Sequence, residues 1–221
     1  MRIEHETLPS FGQTFSAAAL QAARMKAGRG VATELPGVEA SVKLTADPAR
    51  HAEFVHLMGD TVSTHLHPGY VQALGFPLTM SLLVRKDFPL PLLGMLHITN
   101  QVTQTRGIET GEEMELVASV ENARPHYAGT LIDSVVRVNV GGEEVLVDTA
   151  GYLVRGSDFG GPLPERPERV EFEPPNPTAV WKLGPDAGRK YAHVSGDGNP
   201  IHLSKFTAKP FGFNKPIVHG M

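Results

Sequence analysis

The chain of 221 residues is long enough for one large domain or two modest ones, and its composition is that of an ordinary globular protein. Its formal net charge of −4 argues against general binding to nucleic acid or to an anionic membrane. Because the chain contains no cysteine, it has no disulfide, no thiolate nucleophile and no cysteine-based metal site.

The sequence also lacks the usual marks of exported and membrane-spanning proteins. The first seven residues have no apolar core of the kind that a signal peptide needs. The longest apolar run, at residues 88–98, is interrupted by proline and glycine and is too short to cross a bilayer. Since the absence of cysteine fits a reducing compartment, we expect a cytoplasmic protein without membrane contact.

Two helices and a strand are predicted in the first sixty residues. An alanine-rich stretch at 15–25 has high helix propensity, and Ser16 is a candidate N-cap. Residues 38–44 alternate loosely in polarity, as a strand does. Asp47-Pro48 has the composition of a helix start, with aspartate as the cap and proline in the first position, and Gly59 marks the end of that helix.

Two parts of the chain repeat one another at a constant offset of 137 residues. The matched pairs are Phe54 with Tyr191, His56 with His193, Gly59 with Gly196, Asp60 with Asp197, His65 with His202, and Gly75-Phe76 with Gly212-Phe213. The match needs no gap, so it predicts two copies of one domain in tandem. In the first copy Val62 stands opposite Asn199, and Leu82-Leu83-Val84 stands opposite His219-Gly220-Met221. We therefore expect the first copy to be structural rather than catalytic.

Four consecutive strands are predicted between the two repeated parts. They cover residues 96–106, 114–122, 131–140 and 145–154, with a tight turn at Gly141-Gly142. Consecutive strands with short connections imply an antiparallel sheet, so periodicity alone predicts an α+β fold.

A proline-rich segment divides the chain. Six of the 18 prolines lie between residues 160 and 177, which predicts a semi-rigid, extended linker. We therefore predict a first domain over 1–157, a linker over 158–178 and the start of a second domain over 179–221. Only 52 residues follow position 169, too few to bury a comparable core. The second copy is thus expected to be incomplete, ending where its central helix should begin.

The candidate chemistry lies near the C-terminus, in the octapeptide Ser195-Gly196-Asp197-Gly198-Asn199-Pro200-Ile201-His202. Glycine opens backbone conformations that other residues avoid, and proline fixes φ, so we expect a sharply shaped loop here rather than a helix. Such loops often carry catalytic side chains. An isolated aspartate after glycine is more often a turn residue, so the case for chemistry depends on the whole spacing.

This stretch resembles the signature of the MaoC-like hydratases, the R-specific enoyl-CoA hydratases also called hydratase 2. The family pattern is Y-x-x-x-S-G-D-x-N-P-I-H, followed by an alanine and by G-F-x-x-P-I-x-H-G-M. The matching positions are Tyr191, Ser195, Gly196, Asp197, Asn199, Pro200, Ile201, His202, Ala208, Gly212, Phe213, Pro216, Ile217, His219, Gly220 and Met221. The resemblance implies a tandem (double) hotdog fold, in which an antiparallel sheet wraps around a central helix.

The resemblance also implies an activity, the reversible hydration of trans-2-enoyl thioesters to (3R)-hydroxyacyl thioesters, without a metal ion or redox cofactor. Asp197 and His202 would share one water as general base and acid, and the amide of Asn199 would hold the aspartate or the water. The backbone N–H of Gly220, at the start of the central helix, would stabilise the enolate-like oxygen. The residues expected to shape the loop or contact the substrate are Ser195, Gly196, Pro216 and His219.

The expected partner is an acyl-CoA or acyl carrier protein thioester. From Ala187 onward the chain holds five basic residues and one acid, which suits a phosphate-bearing substrate or is a chance cluster on a solvated face. Hotdog domains commonly pair, so we expect a homodimer or a pair within one chain. Two alternatives remain open, a hotdog thioesterase and a non-catalytic acyl-thioester binding protein. A metal site at Asp60, His65 and His67 is disfavoured, because Pro68-Gly69 predicts a loop there.

Overall fold

The computed structural model describes residues 1–26 and 34–219. Its centre is a six-stranded sheet with the order β1-β2-β4-β5-β6-β3. The strands are β1 (Arg2–His5), β2 (Glu39–Thr45), β3 (Leu96–Gln104), β4 (Glu113–His126), β5 (Gly129–Val140) and β6 (Glu143–Arg155). Neighbouring strands are antiparallel except β1 and β2, which are parallel.

In the described residues, six α-helices accompany the sheet. They are α1 (Phe11–Lys26), α2 (Pro48–Met58), α3 (Pro68–Leu83), α4 (Ala187–Ser195), α5 (Pro200–Leu203) and α6 (Lys205–Ala208), and a 3-10 turn (Lys209–Phe211) follows the last. Within the described ranges, no helix combines the length and the apolar character that a membrane span requires.

Helix α3 is the central helix around which the sheet curves. Ten of its 16 residues are buried, so it is apolar on nearly all sides, as a helix enclosed by a core must be. At Gly75 the helix backbone approaches β5 so closely that an added Cβ would lie 2.8 Å from a methyl carbon of Val136. Thr79 and Ser134 share a buried hydrogen bond of 2.7 Å between their hydroxyl groups. This arrangement confirms the predicted α+β class and the hotdog fold.

The four predicted strands are present as β3 to β6. The turn between β5 and β6 uses Gly141 and Gly142, both with positive φ (61° and 86°), as a two-residue hairpin connection requires. Strand β1 was not predicted, because four residues are too short to show a periodic pattern.

The first helix differs from its prediction. It begins at Phe11 rather than at residue 15, and Ser16 lies inside it, where its hydroxyl donates to the carbonyl oxygen of Gly12 over 2.9 Å. The proposal of Ser16 as N-cap is therefore wrong. Helix α1 is fixed to the central helix by Gln21, whose amide donates to the carbonyl oxygen of Leu83 over 2.6 Å.

The second helix follows its prediction. The carboxylate of Asp47 accepts from the backbone N–H of Ala49 over 2.9 Å, and Gly59 ends the helix with a left-handed φ of 75°. Between β6 and α4 the chain runs without helix or strand. Beyond Phe159, which packs against the core, its large apolar side chains are exposed, as Val170 (87%) and Trp181 (81%) illustrate. The exact division into domains stays a prediction.

Candidate active site

The corner between α4 and α5 presents the polar side chains of the signature. Helix α4 ends at Gly196, whose left-handed φ of 81° reverses the chain. The Ser195 hydroxyl donates to the carbonyl oxygen of Tyr191 over 2.8 Å and accepts from the backbone N–H of Asp197 over 3.2 Å. Ser195 thus shapes the corner from inside, while Gly196 is exposed.

His202 lies on the short helix α5, not on a loop as expected. The side-chain oxygen of Asn199 caps this helix by accepting from the backbone N–H of Ile201 over 3.3 Å, and Pro200 occupies the first helical position. Asparagine as a cap followed by proline is a standard helix start. The two residues that suggested a loop therefore begin a helical turn.

Three side chains converge at this corner. Ligand atoms of Asp197, His202 and His219 all lie within 4.8 Å of one another. The carboxylate of Asp197 accepts from the backbone N–H of Asn199 over 3.0 Å. Asn199 therefore holds the aspartate through its main chain, whereas its side-chain amide, which was expected to do so, caps α5.

The ring of His202 has a defined hydrogen-bond partner. Its Nδ1 lies 2.8 Å from the carbonyl oxygen of Ile217. A carbonyl oxygen only accepts, so Nδ1 carries a proton in this contact. In the neutral ring the lone pair is then on Nε2, which is the atom free to exchange a proton with a bound water.

His219 is the most enclosed member of the group, with a side chain 5% exposed. Its ring stacks on that of His202 at 3.8 Å between centroids and contacts the ring of Tyr191 at 4.6 Å. Burial and then the neighbouring His202 lower the pKa of His219, and Asp197 opposes the shift. His219 is therefore neutral near pH 7.

The remaining candidate residues lie around this cluster. Pro216 is half-buried, and the backbone N–H of the next residue, Ile217, donates to the carbonyl oxygen of Ile201 over 3.1 Å. This bond ties the returning chain to α5. Gly220 lies outside the described residues, so its oxyanion role stays a prediction.

The same corner exists in the first copy. Gly59 ends α2 as Gly196 ends α4, with left-handed φ angles of 75° and 81°. The two helices pack together, and the rings of Phe54 and Tyr191, equivalent in the repeat, lie 6.1 Å apart. The chain thus brings both copies of the corner side by side.

The first copy does not assemble the acid and imidazole. The carboxylate of Asp60 accepts from the backbone N–H of the next residue, Thr61, over 2.7 Å. His65 instead contacts the hydroxyl of Thr64 at 3.4 Å, and its backbone pairs with Glu109. In the described ranges, only Asp197, His202 and His219 form a cluster of three acidic or histidine side chains. This difference favours the second copy as the candidate active site.

Beyond His65 the ungapped alignment of the repeat is wrong. Gly75 lies inside the buried helix α3, whereas Gly212 is exposed and ends the 3-10 turn with a φ of 87°. The shared Gly-Phe pair is a coincidence of sequence between two different structures.

The structural counterpart of His219 is His67. The ring of His67 lies 5.6 Å from that of Phe54, just as the ring of His219 contacts that of Tyr191. Only Leu66 separates His65 from His67, whereas 16 residues separate His202 from His219. The second copy therefore carries an inserted segment of helices and turns directly beside its site.

Sequence reasoning missed a buried polar group on strands β3 and β6. Asp148 is 3% exposed, and its Oδ1 has no hydrogen-bond partner in the described structure. Burial raises the pKa of Asp148 to about 6. The ring of His97 stacks on that of Tyr152 at 5.0 Å, and burial, Asp148 and Asp197 together raise the pKa of Tyr152. The sequence did offer a signal for this group. Asp148 is an aspartate that the alternation of its strand places among apolar residues on the side facing the core.

The cluster of Asp197, His202 and His219 also has the residue types of a metal site. However, Nδ1 of His202 and Nε2 of His219 already face the carbonyl oxygens of Ile217 and Asp197. The arrangement thus suits proton transfer better than metal coordination, and the expectation of no metal or cofactor stays a prediction.

Comparison with known proteins places these features in a family context. Residues 164–221 match the family model described as MaoC like domain. The chain is 36% identical over 191 residues to 3-hydroxyacyl-thioester dehydratase X of Mycobacterium tuberculosis, a match that covers 85% of this chain and 68% of that protein.

Comparison with solved structures leads to the same group of proteins. The crystal structure of HtdX from Mycobacterium tuberculosis superposes with a TM-score of 0.69 at 33% identity, covering 82% of this chain and 71% of that one. A MaoC-like dehydratase from Phytophthora capsici superposes with a TM-score of 0.67 at 22% identity, covering 84% and 71%, which shows the shared fold. The resemblance read from the signature is confirmed.

Proposed function

The chain belongs to the MaoC-like dehydratase family, and from that premise we propose that it catalyses the reversible hydration of trans-2-enoyl thioesters to (3R)-hydroxyacyl thioesters. The reverse reaction is the dehydration for which the Mycobacterium tuberculosis relative is named. The observation that carries the proposal is the convergence of Asp197 and His202 at a corner where each has one fixed hydrogen-bond partner. A site that holds its acid and base in place before the substrate arrives favours the transition state.

In the proposed reaction, Asp197 and His202 hold one water between them. As the water oxygen bonds to C3, one proton of the water passes to this pair, and the electrons of the C2–C3 double bond move toward the thioester oxygen. The enolate then takes a proton at C2 from the same pair. One water is consumed, its hydroxyl ends on C3 and a proton ends on C2. General acid–base catalysis of this kind contributes about 10²- to 10⁴-fold in rate.

The enolate-like oxygen requires a separate stabilising group. We assign it to the backbone N–H of Gly220, because His219 corresponds to His67, the residue directly before the central helix α3. N–H groups at the start of a helix have no partner within the helix, and such donors stabilise an oxyanion.

The substrate carrier is a CoA or an acyl carrier protein, both of which bear phosphate. Two of the basic side chains near the site are engaged, since Arg189 donates to the carbonyl oxygen of Leu203 and Lys190 pairs with Asp186. The exposed basic side chains of the inserted segment are Lys205, Lys209 and Lys215. We assign phosphate binding to these three.

The proposed organisation is a tandem of two hotdog copies. Residues 1–157 form the first, residues 158–178 the linker, and residues 179–221 the beginning of the second. Pairing of the copies, within one chain or in a homodimer, follows the general habit of this fold.

The test is the loss of enoyl absorbance when the protein is given crotonyl-CoA and a longer enoyl-CoA. Asp197→Asn should reduce the rate by about 10²-fold or more, because the variant cannot accept a proton. Asp60→Asn is the matched control in the first copy and should leave the rate unchanged. Equal activity of both variants and the natural protein would overturn the assignment of the site. Release of free thiol without loss of the double bond would overturn the reaction in favour of a thioesterase.

A further inference from the structure

The two copies place a histidine at equivalent positions, and the first copy shows what this histidine does. His67 directly precedes the central helix α3, and its ring Nδ1 accepts from the backbone N–H of Gly69 over 3.0 Å. Its own backbone N–H donates to Nε2 of the buried His51 over 3.0 Å. His67 is therefore a helix cap that uses a ring nitrogen as the acceptor.

In the second copy the equivalent ring contacts the catalytic acid. Nε2 of His219 lies 3.2 Å from the backbone carbonyl oxygen of Asp197 and 3.6 Å from its carboxylate Oδ2. Both oxygens are acceptors, so Nε2 must be the protonated nitrogen. Nδ1 of His219 is buried and has no hydrogen-bond partner within residues 1–26 and 34–219. That nitrogen corresponds to the one with which His67 caps its helix.

We propose that His219 is a positioning residue for the reaction, a neutral ring whose Nε2–H holds Asp197 from behind. This inference rests on the proposed function and deepens it. It replaces the expectation that His219 binds substrate, because its side chain is almost fully buried and its donor faces the protein.

The packing around His219 makes the arrangement rigid. Its ring packs against those of Tyr191 and His202, at 4.6 Å and 3.8 Å between centroids. Close packing against two rings, together with burial, restricts rotation of the His219 side chain and keeps its N–H directed at the aspartate. Asp197 is therefore held on two sides, by the main chain of Asn199 at Oδ1 and by His219 at the backbone oxygen and Oδ2. Precise placement of this kind raises the rate of the chemical step without strengthening substrate binding.

Asparagine removes this contact while keeping a polar side chain, because its shorter side chain cannot reach Asp197 from behind. In His219→Asn we expect kcat to fall about 10- to 100-fold. Hydrogen bonds that orient the ligands of catalytic metal ions change activity by that factor when they are removed. The KM should change by less than about threefold, since a positioning residue leaves ground-state binding intact. A large rise in KM with unchanged kcat would instead identify a substrate-binding residue and overturn the proposal.

The matched control is His67→Asn, which makes the same exchange at the cap of the first copy. It should leave kcat and KM unchanged, because the ring of His67 bonds to the backbone of Gly69 and packs on Phe54 rather than on Asp197 or His202. His219→Gln keeps an N–H donor of similar reach, and we expect it to recover part of the activity lost in the asparagine variant. Equal impairment of the glutamine and asparagine variants would mean that the N–H donated by His219 does not position Asp197, and it would overturn the proposal.

A measurement that needs no activity separates this inference from the proposed function. Nitrogen-15 NMR of the histidine rings should show His219 neutral, with the proton on Nε2, throughout the range from pH 7 to 8. A ring protonated on Nδ1, or one that becomes charged in that range, would overturn the tautomer and with it the proposal. If the natural protein hydrates no enoyl thioester but shows the Nε2–H tautomer, the proposed function fails while the contact with Asp197 stands.

Discussion

The two copies of the helix–glycine corner are built alike, and yet only one of them gathers an acid and two imidazoles. In the first copy the chain passes from His65 through a single residue to His67 and enters the central helix. In the second copy, an inserted segment between His202 and His219 returns the chain so that the two rings stack. The convergence of the acid and the two imidazoles therefore depends on this insertion and on the Asn199-Pro200 helix start, more than on the corner itself.

The largest expected effect on the rate comes from replacing the two equivalent histidines, His202 and His65, by alanine one at a time. His202→Ala should lower kcat by about 10²- to 10⁴-fold, because the pair then loses one of its two proton-exchanging groups. His65→Ala should leave the rate within about twofold. Steady-state kinetics with crotonyl-CoA measure both. A comparable loss in the two variants would mean that the first copy takes part in catalysis.

The two Gly-Phe pairs offer a second test, this time of stability. Gly75→Ala should lower the free energy of unfolding by about 1–3 kcal/mol, since the new methyl group would meet Val136 in the core. Gly212→Ala meets nothing within 4 Å, and its cost is the strain of a positive φ, about 1 kcal/mol. Denaturant unfolding distinguishes the two. Adding Val136→Ala should recover part of the lost stability in Gly75→Ala, where it removes the clash, and none in Gly212→Ala.

A further effect, on stability and dependent on pH, concerns the buried acid of the first copy, Asp148. Because burial raises the pKa of Asp148 to about 6, above its ordinary value of 3.8, the folded state binds this proton more tightly than the unfolded state. The resulting loss of stability is absent at low pH, grows as the pH rises through the interval from about 4 to 6, and is complete above it. Asp148→Asn should therefore stabilise the protein at pH 7.5 by about 3 kcal/mol and at pH 4 by less than about 1 kcal/mol. Thermal unfolding at the two pH values measures the difference, and an equal change at both would contradict it.

Much of the fold followed from the sequence because its signals are local. Alternation along β4 to β6, the paired glycines at 141 and 142, and the cap at Asp47 each act within a few residues. Ser16 misled the prediction because a serine at that spacing can also bond backward inside a helix. Asn199-Pro200 misled it because the same two residues can bend a loop or begin a helical turn.

The residues of the candidate site were named from the signature, but their arrangement was not. The contact between His219 and Asp197 joins positions 22 residues apart and depends on how the inserted segment returns. The counterpart relation between His67 and His219 was hidden by the Gly-Phe coincidence and became visible only through ring contacts. Asp148 was not predicted, although its inward position on β6 was a local signal, because its raised pKa depends on how completely the whole fold buries it.

The order of the strands has a consequence for how the chain folds. Strand β3 precedes β4, β5 and β6 in sequence but pairs with the last of them, at the edge of the sheet. Strands β4 to β6 can form as successive hairpins, whereas β3 can add only after β6 exists, and its pairing closes a long loop. Since closing distant contacts is slow, amide protons of β3 should become protected from exchange later in refolding than those of β5. Strand β3 is thus synthesised before its partner β6 and can join the sheet only after that partner has formed.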